Sequence, residues 1–281
     1  MTLPKLKPVS QQVIVITGAS SGIGLATAQE AARRGAKVVL FSRDEPELER
    51  TAAVIRDAGG QVAYAVGDVA DFEAMKRLAD TAMRAFGRID TWINNADVSI
   101  HGQIVDVTLD DARRLFETNY WGVVNGSLVG RYHLASDGGA LINIGSALAE
   151  SGHALQGHFT ASKYAVKGFT DSLRLELEKV GDPIAVTLVE LDSPDTPRGD
   201  APNRAAAEPK LERAVTTPEM VARTIVDCAQ RPQRTVRIGA ATGLFAFVNE
   251  MPEAILLGAA AVGVGLGIAA RRLFGDGAEP T

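Results

Sequence analysis

The stretch "TGASSGIG" (residues 17–24) sets three glycines between a short apolar run and a helical pattern. Gly18 permits a tight turn, Gly22 lets the backbone approach a diphosphate, and Gly24 allows a helix to pack closely on a strand. The N–H groups exposed where the helix begins, around Ser20, Ser21, Gly22 and Ile23, favour an anion. A second cluster lies in "HFTASK" (158–163), where Phe159 and Lys163 stand four residues apart. Positions i and i+4 share one face of a helix, so the Lys163 ammonium shares its surroundings with side chain 159. Phe159 has no group that can give or take a proton.

These residues need elements to hold them. Short β-branched runs at 13–16, 37–42, 62–66, 89–94, 140–144, 184–189 and 235–239 read as strands. Helical spacing fills 22–34, 45–58, 71–86, 108–134, 157–179 and 217–230. Strands that are apolar on both faces and separated by helices imply a mostly parallel sheet covered on both sides. The expected fold is α/β: a Rossmann-like three-layer sandwich, doubly wound on about seven strands. Residues 192–216, rich in proline and charge, break the rhythm. A long insertion after a strand's carboxyl end is expected to lie over the ligand crevice.

Composition narrows the classes. A chain of 281 residues that is 46% hydrophobic can bury one large core. Its formal charge of −5, from 29 basic and 34 acidic residues, leaves no basic footprint for nucleic acid. A single cysteine, Cys228, fits a reducing compartment, and the scattered histidines show no metal-ligand spacing. The start "MTLPKLKPVSQQ" has no apolar run of signal-peptide length, so a cytoplasmic protein is expected. We divide the chain into a domain at 1–240 and an extension at 241–281. In the extension, residues 254–270 are seventeen apolar or glycine residues followed by Arg271 and Arg272. That length is the lower limit for a bilayer span, about 25 Å of helix. A simple span would put both arginines outside, against the positive-inside tendency, so membrane contact and burial against protein both stay open.

In order and spacing, Thr17-Gly18-x-x-x-Gly22-x-Gly24, "NNA" at 94–96, Asn119, Ser146, Lys163 and Thr196 resemble the short-chain dehydrogenase/reductase family, over about residues 10–240. The resemblance implies a nicotinamide cofactor with its adenine between Asp68 and Val69 and its adenosine ribose beside Asn95. It also implies that Ser146 polarises a carbonyl, that Lys163 holds the nicotinamide ribose, and that Asn119 keeps a proton-relay water in place. Thr196 would contact the carboxamide. Where an acidic residue would mark NAD, this chain has Ser42 and then Arg43, whose guanidinium suits a 2′-phosphate, so NADP(H) is expected. Family members pair through the helices at 108–134 and 157–179, which implies a homodimer or homotetramer.

Three departures gather at the reacting end. Phe159 replaces the family's proton-donating tyrosine, Asp97 replaces the glycine of "NNAG", and Leu191-Asp192 replaces a Pro-Gly pair before Thr196. His158 and Tyr164 point roughly 100° and 140° away from Phe159 around the helix and do not replace its hydroxyl. Three readings remain open. One is an NADP-dependent oxidoreductase of a carbonyl or alcohol with an altered catalytic set. Another is a non-redox dehydratase, isomerase or cyclase that uses Asp97 or Asp192. The third is a binding protein without turnover. The substrate pocket is expected along Ile100–Gln103 and the 192–216 loop.

Overall fold

The computed structural model describes residues 4–192 and 217–239. Its strands are β1 (Val13–Thr17), β2 (Lys37–Ser42), β3 (Gln61–Val66), β4 (Thr91–Asn94), β5 (Gly139–Ser146), β6 (Ile184–Asp192) and β7 (Thr235–Gly239). They form one sheet in the order β3-β2-β1-β4-β5-β6-β7, with every pairing parallel. The helices are α1 (Gly22–Arg33), α2 (Glu45–Asp57), α3 (Phe72–Phe86), α4 (Leu109–Phe116), α5 (Gly122–Leu134), α6 (Gly157–Val180) and α7 (Pro218–Cys228).

Alternate strand residues serve opposite layers, as the two-residue period of a strand requires. Ile14, Ile16, Val38 and Leu40 share a core with Ala28 of α1, Leu48 of α2 and Ile225 of α7. Val13, Val15, Val39 and Trp92 face Met75 and Leu78 of α3, Val129 of α5 and Leu173 of α6. The doubly wound three-layer sandwich expected from the sequence is the observed one. Strand order reverses between β1 and β4, and the carboxyl ends beside that reversal are where such sheets bind ligands.

The layers under α5 and α6 are joined by buried polar side chains. Asn94 accepts from Trp92 Nε1 (2.9 Å) and donates to Ser127 Oγ (3.2 Å) and Asn143 Oδ1 (2.9 Å). Asn143 in turn donates to Thr170 Oγ1 at 3.0 Å. Gly126 makes this approach feasible, because a Cβ there would collide with Asn94 Oδ1.

The helical segment read across 108–134 is observed and contains a wide π turn at Glu117–Trp121, in which Gly122 N–H bonds to the carbonyl of Glu117. Apolar spacing alone does not reveal such a turn. The turn carries Asn119, whose side chain clamps the backbone of Val98.

Among the described residues, no helix is long and apolar enough to cross a membrane. The apolar segment 254–270, Thr196 and the rest of the loop from 193 to 216 lie outside the described residues.

Two expectations follow from the packing. Gly126→Ala should lower stability by about 1–3 kcal/mol through overpacking, read as a shift in the urea unfolding midpoint. The thiol of buried Cys228 is pushed up to about 12, chiefly by burial and then by the Asp227 carboxylate. At pH 8 about one molecule in ten thousand would carry the thiolate, so Ellman's reagent should find no reactive thiol until denaturant is added.

Candidate functional site

A cavity of about 460 Å³ opens along the carboxyl ends of the strands, on both sides of the β1/β4 reversal. One wall is the turn between β1 and α1. Gly18 has φ of +66°, and a Cβ there would stand 2.7 Å from Ala96 Cα. A Cβ on Gly24 would strike the carbonyl oxygen of Gly18, so the helix start can lie on the turn only without a side chain. Asn95 braces this cradle by donating its amide to the carbonyls of Thr17 (3.0 Å) and Gly18 (3.3 Å). Thr17 Oγ1 accepts from the N–H groups of Asn95 and Ala96, which ties β1 to the end of β4.

The start of α1 is unlike most other helix starts here. Asp44, Asp71, Thr108 and Thr217 each accept a backbone N–H at the head of α2, α3, α4 and α7, whereas Ser21 makes no such bond for α1. Gly18, Ser20, Ser21, Gly22, Ile23 and Gly24 all line the cavity. A glycine cradle that admits no side chain, beside a helix start not capped by a side chain, fits the diphosphate of a dinucleotide.

The wall at β2 and β3 holds Ser42, Arg43, Asp44, Glu47, Asp68 and Val69. Asp44 is committed locally, since its carboxylate caps α2 through Glu47 N at 3.1 Å. Arg43 is exposed on the cavity wall and has no ion-pair partner among the described residues. Asp68 accepts from Ala70 N at 3.0 Å and pairs with Arg114.

The opposite end, at β4, β5 and β6, is lined by Asp97, Val98, Thr118, Ile144, Gly145 and Leu191. Ser146, Phe159 and Lys163 lie behind this wall, each no more than 2% exposed. Ser146 Oγ donates to the Leu191 carbonyl at 3.3 Å and accepts from Leu148 N. Asn119 spends its amide on Val98 O (2.9 Å) and Ser162 Oγ (3.1 Å), and Ser162 donates to the Phe159 carbonyl. Ser162 therefore couples two of the predicted positions, and a single sequence gives no signal for it.

Phe159 sits in an apolar cluster with Ile100, Val107, Ala112 and Leu115, joined by Val98 and Leu148. Ile100 packs against Phe159, and residues 100–103 do not line this cavity; the 193–216 loop, expected to line a substrate pocket with them, lies outside the described residues. Lys163 points its ammonium at Ile144 O (3.2 Å), over the Phe159 ring (5.5 Å to the centroid), and at Asp97. The Lys163 Nζ to Asp97 Oδ2 distance is 3.1 Å. A buried ammonium needs a partner of this kind, because removing its hydration costs several kcal/mol. Two of the three sequence departures therefore meet at one lysine, with Phe159 under it and Asp97 beside it.

A family model described as short chain dehydrogenase matches residues 12–205. The chain is 41% identical over 251 residues to the uncharacterized oxidoreductase YxnA of Bacillus subtilis (strain 168), across 88% of this chain and 70% of that protein. A short chain dehydrogenase/reductase from Burkholderia phymatum, solved in complex with NAD, aligns with a TM-score of 0.76 at 27% identity. That alignment covers 83% of this chain and 90% of the other. An alcohol dehydrogenase from Thermococcus sibiricus, complexed with 5-hydroxy-NADP, shares the fold at a TM-score of 0.71 and 22% identity, over 86% of this chain and 98% of that one. The cradle, the reversal of strand order and these matches agree: this chain belongs to the short-chain dehydrogenase/reductase family.

Proposed function

We propose that the cleft binds NADP(H) and that the protein is an oxidoreductase of a carbonyl or alcohol whose proton-transfer step is impaired at position 159. The observation that carries this reading is the pairing of an intact glycine cradle with a buried Lys163 whose neighbour is Phe159. Bound NADP(H) would supply the hydride. The β1–α1 turn would hold its diphosphate, and Lys163 would face its nicotinamide ribose. Arg43 would meet a 2′-phosphate, since a guanidinium pairs with phosphate in two parallel hydrogen bonds. The neighbouring Asp44 is a poor rival for ribose hydroxyls, because its carboxylate already caps α2. One structural neighbour holds NAD and another a modified NADP, so the preference here rests on this chain's own residues.

Ser146 would polarise the carbonyl once its hydroxyl leaves the Leu191 carbonyl. With no phenol at 159, the proton has to come from water or another group, and loss of a positioned acid slows such a step by about 10²–10⁴. A second reading, binding without turnover, is favoured by the burial of Ser146, Phe159 and Lys163 behind the cleft wall. Asp97 as an independent acid for non-redox chemistry draws no support from its ion pair with Lys163. The pairing of subunits through α5 and α6 is supported by an exposed apolar stripe of Trp121, Leu128 and Tyr132. Cytoplasmic residence, with or without membrane contact through 254–270, stays part of the proposal.

Two measurements test it. Arg43→Ala should weaken NADPH about ten- to a hundredfold in a fluorescence titration while NADH changes little; equal losses would remove the NADP preference. Phe159→Tyr should raise NADPH-dependent turnover of a ketone and aldehyde panel by about 10² or more. Binding with no turnover in either form would favour the binding protein.

A further inference from the structure

Among the described residues, Asp97 lines this end of the cleft and Lys163 does not, so a carboxylate is presented there. Asp97 is 22% exposed and Lys163 2%, at a separation of 3.1 Å. The other charged residues of the cleft wall, Arg43, Asp44, Glu47 and Asp68, belong to the segments that follow β2 and β3. Lys163 also meets the Ile144 carbonyl and the Phe159 ring, and neither carries a net charge. Lys163 brings a positive charge to this end, and the Asp97 carboxylate offsets it.

That offset matters to a ligand with two charge states. The nicotinamide ring bears a positive charge when oxidised and none when reduced, while the remainder of the cofactor is the same in both forms. A group at this end separates the two forms mainly through electrostatics. We propose that Asp97 tunes the redox preference of the cofactor site: by offsetting the charge of Lys163 it lets NADP⁺ bind at least as tightly as NADPH. The proposal rests on the reading of the cleft as an NADP(H) site with its nicotinamide end at β5 and β6. A unit charge a few ångströms from the ring, at the effective dielectric of a partly open cleft, is worth about tenfold in relative affinity.

The test is calorimetric titration of the full chain with NADP⁺ and with NADPH, without substrate, for the wild type, Asp97→Asn and Lys163→Met. The wild type should bind NADP⁺ with a Kd no larger than that for NADPH. Asp97→Asn should move the ratio of the two Kd values about tenfold toward NADPH, and Lys163→Met should move it toward NADP⁺. A wild type that prefers NADPH tenfold, or an Asp97→Asn ratio within twofold of wild type, overturns the proposal. If Asp97→Asn fails to fold, the wild-type ratio and Lys163→Met decide, and an unmoved ratio in Lys163→Met overturns it equally. A wild type that binds neither nucleotide refutes the NADP(H) reading itself, and the inference falls with it. That outcome is distinct from binding without redox discrimination.

Discussion

The hydrogen bond from Asn94 to Asn143 joins two strands by side-chain amides inside an otherwise apolar layer. Buried amides are costly unless each group finds a partner, so every element that touches this pair is constrained in direction and depth. Trp92 and Ser127 complete Asn94, and Thr170 of α6 completes Asn143. These bonds seat α5 and α6 on β4 and β5. Lys163 stands seven residues before Thr170 on α6, two helical turns from that anchor. The depth at which its ammonium ends is therefore set in part by contacts well below the cleft.

At the β5 and β6 end of the cleft the limiting factor is a buried charge. Lys163 is almost fully enclosed, and among its partners are a carbonyl, an aromatic face and the Asp97 carboxylate. Removing a phenol and adding a carboxylate beside the same ammonium keeps it partnered while changing the chemistry within reach. The two departures make physical sense as a pair. The third, Leu191-Asp192, sits where β6 runs on beside β5, with Leu191 opposite Ser146 in the register. Its backbone carbonyl holds the serine hydroxyl.

Much of the fold was legible because period and punctuation agree. All seven strands appear where β-branched runs placed them, with β5 and β6 extended at their carboxyl ends. The glycine turn was legible because its spacing serves one backbone geometry. Other features were not. The π turn at Asn119 leaves the apolar spacing undisturbed, and Gly126 looks like any helix glycine until its Cβ is placed against Asn94. Asp97 could be read as a departure, but only the fold brings it to Lys163, 66 positions later in the chain. Ile100, expected at the substrate pocket, packs with Phe159, a contact that no single-sequence pattern gives.

Arg43 and Asp44 are adjacent, yet they answer to different demands. Asp44 belongs to the helix it caps, and losing a cap typically destabilises by about 1 kcal/mol. Arg43 has no ion pair to give up among the described residues. Mutational drift at position 43 is thus nearly free of folding penalty, while drift at position 44 is checked by stability. A change at the first position leaves the cap of α2 in place, whereas a change at the second removes it.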